Sequence, residues 1–163
     1  MASNSENHFL IQYEVDKGPH EPSEVHVGLQ MEGQTYSLDP LRIPSLDALL
    51  GYRAVEEIMS MLLAAKGEPV NVERPGTLHH PIRLWTPVSN QEVWAAGVTY
   101  KRSEQAREAE SNNSNLYTRV YSAARPELFF KAIGSDVSGH GHPVGIRYDA
   151  TWSVPEPELV VHV

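Results

Sequence analysis

Between Glu24 and Leu38 the chain alternates: Val25, Val27 and Leu29 fall on one side of an extended backbone and polar neighbours on the other. Glu32-Gly33 supplies a turn and Thr35-Tyr36 reopens a strand, so the pattern predicts a β-hairpin. Pro40 to Pro44 then breaks it. Leu46, Leu49 and Leu50, followed by Val55, Ile58, Met59, Leu62 and Leu63, recur at helical spacing. They predict one short helix and one longer helix ending near Lys66-Gly67, with these residues as core. Pro69 to Pro87, which includes His79-His80-Pro81, is rich in proline and polar residues and reads as a linker. The expected organisation is an N-terminal region of hairpin, helices and linker over 1–86 and a second region over 87–163.

In that second region Trp94, Ala95, Ala96 and Val98 make a short apolar run, which predicts a buried strand over Val93 to Val98 with Gly97 allowing close backbone approach. The strand delivers Thr99 and Tyr100 to its end. Lys101 to Glu110 is composed of helix formers, and the paired asparagines within Ser111 to Ser114 stop the helix. Leu128, Phe129 and Phe130 predict a further strand over Glu127 to Ala132. Gly134 to Pro143 is a glycine- and serine-bearing loop, a candidate pocket rim. Leu159, Val160 and Val161 read as the start of another buried strand.

Charge narrows the partners. The 163 residues carry 13 basic and 21 acidic side chains, a formal charge of −8, which opposes binding to a phosphate backbone. Hydrophobic residues at 40% and charged residues at 21% suit a globular core. With no cysteine, disulfides and thiolate metal sites are excluded. No apolar run approaches membrane-spanning length, and the first residues lack the basic and apolar regions of a signal peptide, so the expectation is a cytoplasmic protein with no nucleic acid or membrane partner.

Candidate chemistry concentrates in a few places. On an extended strand Glu156 and Glu158 project to the same side with Pro157 opposite, a geometry that can grip a divalent ion; an acidic turn in solvent is the plainer alternative. Thr99 or Ser103 lies near a helix N-terminus, either facing an anionic ligand or serving as an ordinary cap. Arg102 either clamps a carboxylate or is a surface charge, and Lys131 ends an apolar strand where a lysine often reaches for water. His140-Gly-His142 lacks a third ligand at suitable spacing, and its glycines suit a turn.

Three segments taken together resemble a known family. Glu92-Val93-Trp94-Ala95-Ala96-Gly97-Val98-Thr99-Tyr100-Lys101-Arg102-Ser103, then Arg125-Pro126-Glu127-Leu128-Phe129-Phe130-Lys131, then Thr151 to Val161 resemble the fumarylacetoacetate hydrolase family in order and spacing. The Thr-Tyr-x-x-Ser wording is similar to the branch that dehydrates 2-keto-3-deoxy sugar acids such as 2-keto-3-deoxyarabinonate. The resemblance covers roughly Leu84 to Val163. It implies an α+β fold in which a small N-terminal α/β region precedes an incomplete, mostly β catalytic domain.

The resemblance also implies roles. Glu156 and Glu158 would ligate Mg²⁺, with Mn²⁺ or Ca²⁺ as substitutes; Lys131 and Ser103 would be catalytic; Thr99, Arg102 and Phe130 would bind a small 2-oxo acid. Such an acid loses a C3 proton to form an enolate and then a C4 hydroxyl. Ser103 and Ala106 stand where many family members carry a His and a Glu, which argues against the route that activates water. The family's further metal-ligating Asp lies beyond Val163, so the resemblance implies a C-terminally truncated family member. The alternatives are a hydrolase of acylpyruvate-like diketo acids, or a non-catalytic fragment or interaction subunit. A homodimer or a complementing chain is the implied partner.

Overall fold

The computed structural model describes residues 7–51, 54–72, 81–111 and 115–162. Its first part is a five-stranded antiparallel sheet in the order β4-β3-β2-β1-β5, formed by β1 (His8–Val15), β2 (Glu24–Met31), β3 (Gln34–Ser37), β4 (Pro69–Val70) and β5 (Ile82–Leu84). The hairpin expected from the alternation is β2–β3. Glu32 (φ 50°) and Gly33 (φ 80°) both take the left-handed conformation that a tight two-residue turn between twisted strands requires.

One face of this sheet packs on α1 (Leu46–Leu50) and α2 (Val55–Ala65), the short and long helices that the leucine spacing predicts. Ser45 caps α1 by accepting the Ala48 N–H at 3.2 Å. The core is Val27, Leu29, Leu38, Leu46, Leu49, Ile58 and Leu62, each buried. Burying each of these side chains contributes about 1.5–3 kcal/mol, so this cluster holds the N-terminal part together.

β1 was not foreshadowed by the pattern, because polar residues occupy its buried positions. Gln12 is 1% exposed and Glu14 8%. Gln12 Nε2 donates to the Thr86 carbonyl at 2.6 Å while its Oε1 accepts the Leu46 N–H at 2.9 Å, and Arg83 donates to Glu14 at 2.7 Å. Burial is tolerable because the Gln12 amide and the Glu14 carboxylate are paired. The expected linker is also partly structured: β4 pairs with β3 and β5 with β1, whereas His79 and His80 lie outside the described residues.

The second part contains β6 (Glu92–Ala96) and β7 (Leu128–Ile133), paired antiparallel with an irregularity between Val93 and Trp94, together with α3 (Lys101–Glu110) and α4 (Leu116–Tyr121). Two strands and two helices among the described residues make this part mixed rather than mostly β. The strands are not buried as expected: Trp94 is 56% exposed, Leu128 62% and Phe130 51%. Leu159, Val160 and Val161 form no strand and are at least 70% exposed, and among the described residues no strand pairs with their backbone. No helix among the described residues is long and apolar enough to cross a membrane.

Candidate active site

The end of β6 sets the site. Gly97 donates its N–H to the Glu127 carbonyl at 2.8 Å, which ties the strand end to the entry of β7. Val98 follows with φ 50°, a left-handed conformation that crowds a β-branched side chain and costs on the order of 1–3 kcal/mol. This sharp bend aims Thr99 and Tyr100 into a cavity of about 120 Å³ at the start of α3. Tyr100 is the N-cap residue of α3 and no side chain caps the helix, so neither Thr99 nor Ser103 serves the capping role.

Glu156 and Glu158 both line this cavity, with Ser103 from α3 and Lys131 from β7. Pro157 lines it too, so the segment crosses the opening as irregular backbone and does not present alternate faces of a strand. Each carboxylate has a partner. Thr99 donates its hydroxyl to Glu158, and Arg107 donates to Glu156 at 2.8 Å. The Leu159 N–H donates to the Tyr100 hydroxyl at 2.9 Å, fixing the backbone just past the acidic pair. Glu156, followed by Glu110, holds the Arg107 guanidinium pKa above its ordinary value.

Two expected substrate-binding residues stand elsewhere. Phe130 packs edge-on against Trp94, ring centroids 6.0 Å apart, on the face of the β6–β7 pair turned away from the cavity. Phe129 lines the cavity in its place. Alternation along a strand explains the swap, because a lysine facing the cavity at 131 carries 129 with it and turns 130 away. Arg102 is exposed and outside the lining; Arg107, one turn after Ser103 on α3, reaches in. Helical spacing from Ser103 could have revealed Arg107.

The Gly134–Pro143 loop does not rim this cavity. Gly134 and Ser135 line a separate cavity of about 340 Å³ beside Trp85 and Thr86, and His142 sits edge-on to Trp85 at 5.2 Å. Among the described residues no three His, Cys, Asp or Glu side chains cluster as a metal site. The oxygen donors at the cavity are the two carboxylates and the hydroxyls of Thr99, Tyr100, Ser103 and Tyr117, all hard oxygens. That chemistry fits Mg²⁺, which is commonly bound through one or two carboxylates and keeps its remaining positions for water and substrate.

No family model matches the chain. It is 56% identical over 73 residues to a probable 2-keto-3-deoxyxylonate dehydratase of Haloferax volcanii, a match covering 45% of this chain and 25% of that protein. It is 40% identical over 85 residues to the 2-dehydro-3-deoxy-D-arabinonate dehydratase of Saccharolobus solfataricus, covering 49% of this chain and 28% of that protein. A hexagonal crystal form of 2-keto-3-deoxyarabinonate dehydratase superposes with a TM-score of 0.53 at 26% identity, covering 92% of this chain and 50% of the solved one. The chain thus spans about half the length of the solved relative, and the matched stretches about a quarter of each curated one. Over these stretches it is similar to 2-keto-3-deoxy sugar-acid dehydratases, the branch to which its three motifs point.

Proposed function

We propose that this chain carries the carboxylate site of a metal-dependent dehydratase acting on 2-keto-3-deoxy sugar acids. One observation carries the reading: Glu156, Glu158, Thr99, Ser103 and Lys131, drawn from three separate sequence motifs, line one cavity. The 56% identity of the matched stretch to a probable dehydratase points to the same substrate class. Glu156 and Glu158 would hold Mg²⁺, or Mn²⁺ or Ca²⁺ in its place. The ion when bound supplies Lewis-acid stabilisation of the negative charge that develops on the 2-oxo group.

The chain's own residues do the rest. Thr99 orients Glu158 through its hydroxyl, and Phe129 supplies an apolar wall that limits water. Lys131 is the one amine lining the cavity among the described residues, and it would pass the C3 proton between C3 and the leaving hydroxyl. Loss of that proton moves the C3–H electron pair toward the 2-oxo oxygen. That proton is returned to the C4 hydroxyl as the enolate electrons form the C3–C4 double bond and the C4–O bond breaks, so the hydroxyl departs as water, and Ser103 would donate a hydrogen bond to it.

Turnover of a 2-keto-3-deoxypentonate with Mg²⁺, set against an acylpyruvate, tests the assignment. Dehydration without acylpyruvate cleavage is expected, and Glu158→Gln should lower kcat by at least about a hundredfold with an unchanged melting temperature. Near-normal turnover of that variant at saturating Mg²⁺ would sink the metal-site reading. A second reading, an interaction subunit whose cavity is completed by another polypeptide, draws on the lack of a three-ligand cluster among the described residues. A soluble, folded chain that dehydrates nothing would favour it.

A further inference from the structure

Arg107 divides its guanidinium between two acids, Nη2 to Glu156 at 2.8 Å and Nη1 to Glu110 at 3.1 Å. Among the described residues Glu158, by contrast, takes the neutral Thr99 hydroxyl and no cationic side chain. Two carboxylates one residue apart on a cavity of about 120 Å³ repel each other, and a cation between them relieves that repulsion. Arg107 supplies this charge to Glu156 alone. Nη2 holds Oε1 of Glu156, and a divalent ion shared by Glu156 and Glu158 would draw on the same carboxylate charge and set a like charge beside the guanidinium.

Resting on the metal-site reading above, we propose that Arg107 is the exchangeable counter-ion of Glu156. The Arg107–Glu156 pair and a divalent cation on Glu156 and Glu158 exclude one another. The guanidinium stays anchored to Glu110 through Nη1, and the Nη2 that the cation displaces takes the carboxylate of a 2-oxo acid. Two features of the site support the exchange. Arg107 has a second acid to hold it after Glu156 is taken, so its release leaves no unpaired charge. Its planar fork also presents parallel N–H groups, which match a carboxylate in a way a lysine cannot.

Calorimetric titration of the protein with Mn²⁺, and then of the Mn²⁺-loaded protein with pyruvate, tests this. Arg107→Gln should bind Mn²⁺ about five- to tenfold more tightly than the parent, and its loaded form should bind pyruvate about tenfold more weakly. Arg119→Gln, which removes the same charge from an exposed position on α4 outside the cavity, should change Mn²⁺ affinity by less than about twofold. The opposite signs separate exchange from a structural role, since a loosened site would weaken both ligands. Should Arg107→Gln not fold, Arg107→Lys should still tighten Mn²⁺, because a single ammonium cannot serve both acids. Equal or weaker Mn²⁺ binding in the Arg107 variants overturns the exchange and leaves the metal site standing. Absence of Mn²⁺ binding in parent and variants alike overturns both.

Discussion

Tyr100 does two jobs with one residue. Its extended backbone (φ −110°, ψ 140°) starts α3, and its hydroxyl accepts the Leu159 N–H, so the turn that begins the helix also secures the acidic segment. A hydrogen bond of this exposed kind is worth about 0.5–1.5 kcal/mol. Tyr100→Phe should therefore speed amide exchange at Leu159 about two- to tenfold, with exchange in β1 and β2 unchanged. An unaltered rate at Leu159 would mean the tail is held by its other contacts alone. Site residues were legible where chemistry is carried by residue type: the acidic pair, Thr99, Ser103 and Lys131 stand out along the chain and share one cavity. Phe129 and Arg107 were not, because each is selected by which face of its strand or helix turns inward, and two adjacent phenylalanines or two nearby arginines look alike in one dimension.

α3 and α4 show why one helix was legible and its neighbour was not. Lys101–Glu110 is built of strong helix formers and begins and ends where composition says it should. Leu116–Tyr121 is short, contains threonine, valine and two tyrosines, and starts at Asn115 with no side-chain cap of its own. Its orphan amides are served from the other helix: Glu108 accepts the Thr118 N–H at 2.9 Å and the Asn115 N–H at 3.0 Å. No local pattern announces a cap supplied from the preceding helix. Those hydrogen bonds, the Thr118 amide foremost, hold the Glu108 pKa below its ordinary value of 4.5. A carboxylate with a depressed folded pKa contributes stability that is present above the unfolded value and lost as pH falls through the folded one. Protection of the Thr118 amide, corrected for intrinsic exchange, should thus decline as pH falls below the ordinary glutamate value of 4.5, and Glu108→Gln should flatten that decline. A profile identical in parent and variant would show that α4 is held by packing instead.

The two parts of the molecule differ most in what they bury. Every buried apolar side chain among the described residues, from Tyr13 to Leu62, lies in the N-terminal part, which is why hydrophobic spacing found its hairpin and two helices, though not β1, β4 or β5. The motif-bearing part was read as buried strands on the strength of equally apolar runs, yet Trp94, Leu128 and Phe130 on the two-stranded sheet are each more than half exposed. A run of apolar residues states an affinity for burial; it does not say which chain satisfies it. What joins the parts is polar and close-fitting: Asp47 accepts the N–H groups of Ser89 and Asn90 at 3.0 and 2.9 Å, and Gly134 lies so near Ser89 that a Cβ would come within 2.7 Å of its carbonyl carbon. This joint secures the position of β6 and β7 and leaves their outer face open. An exposed apolar face beside unpaired strand edges favours association, either with another copy or with a complementing chain. Sedimentation should show self-association that increases above about 10 µM, and the pair of substitutions Leu128→Ser and Phe130→Ser should suppress it with little loss of melting temperature, because neither side chain belongs to the core. A parent chain that stays monodisperse as a monomer to about 200 µM would show that this face tolerates water and that nothing needs to cover it.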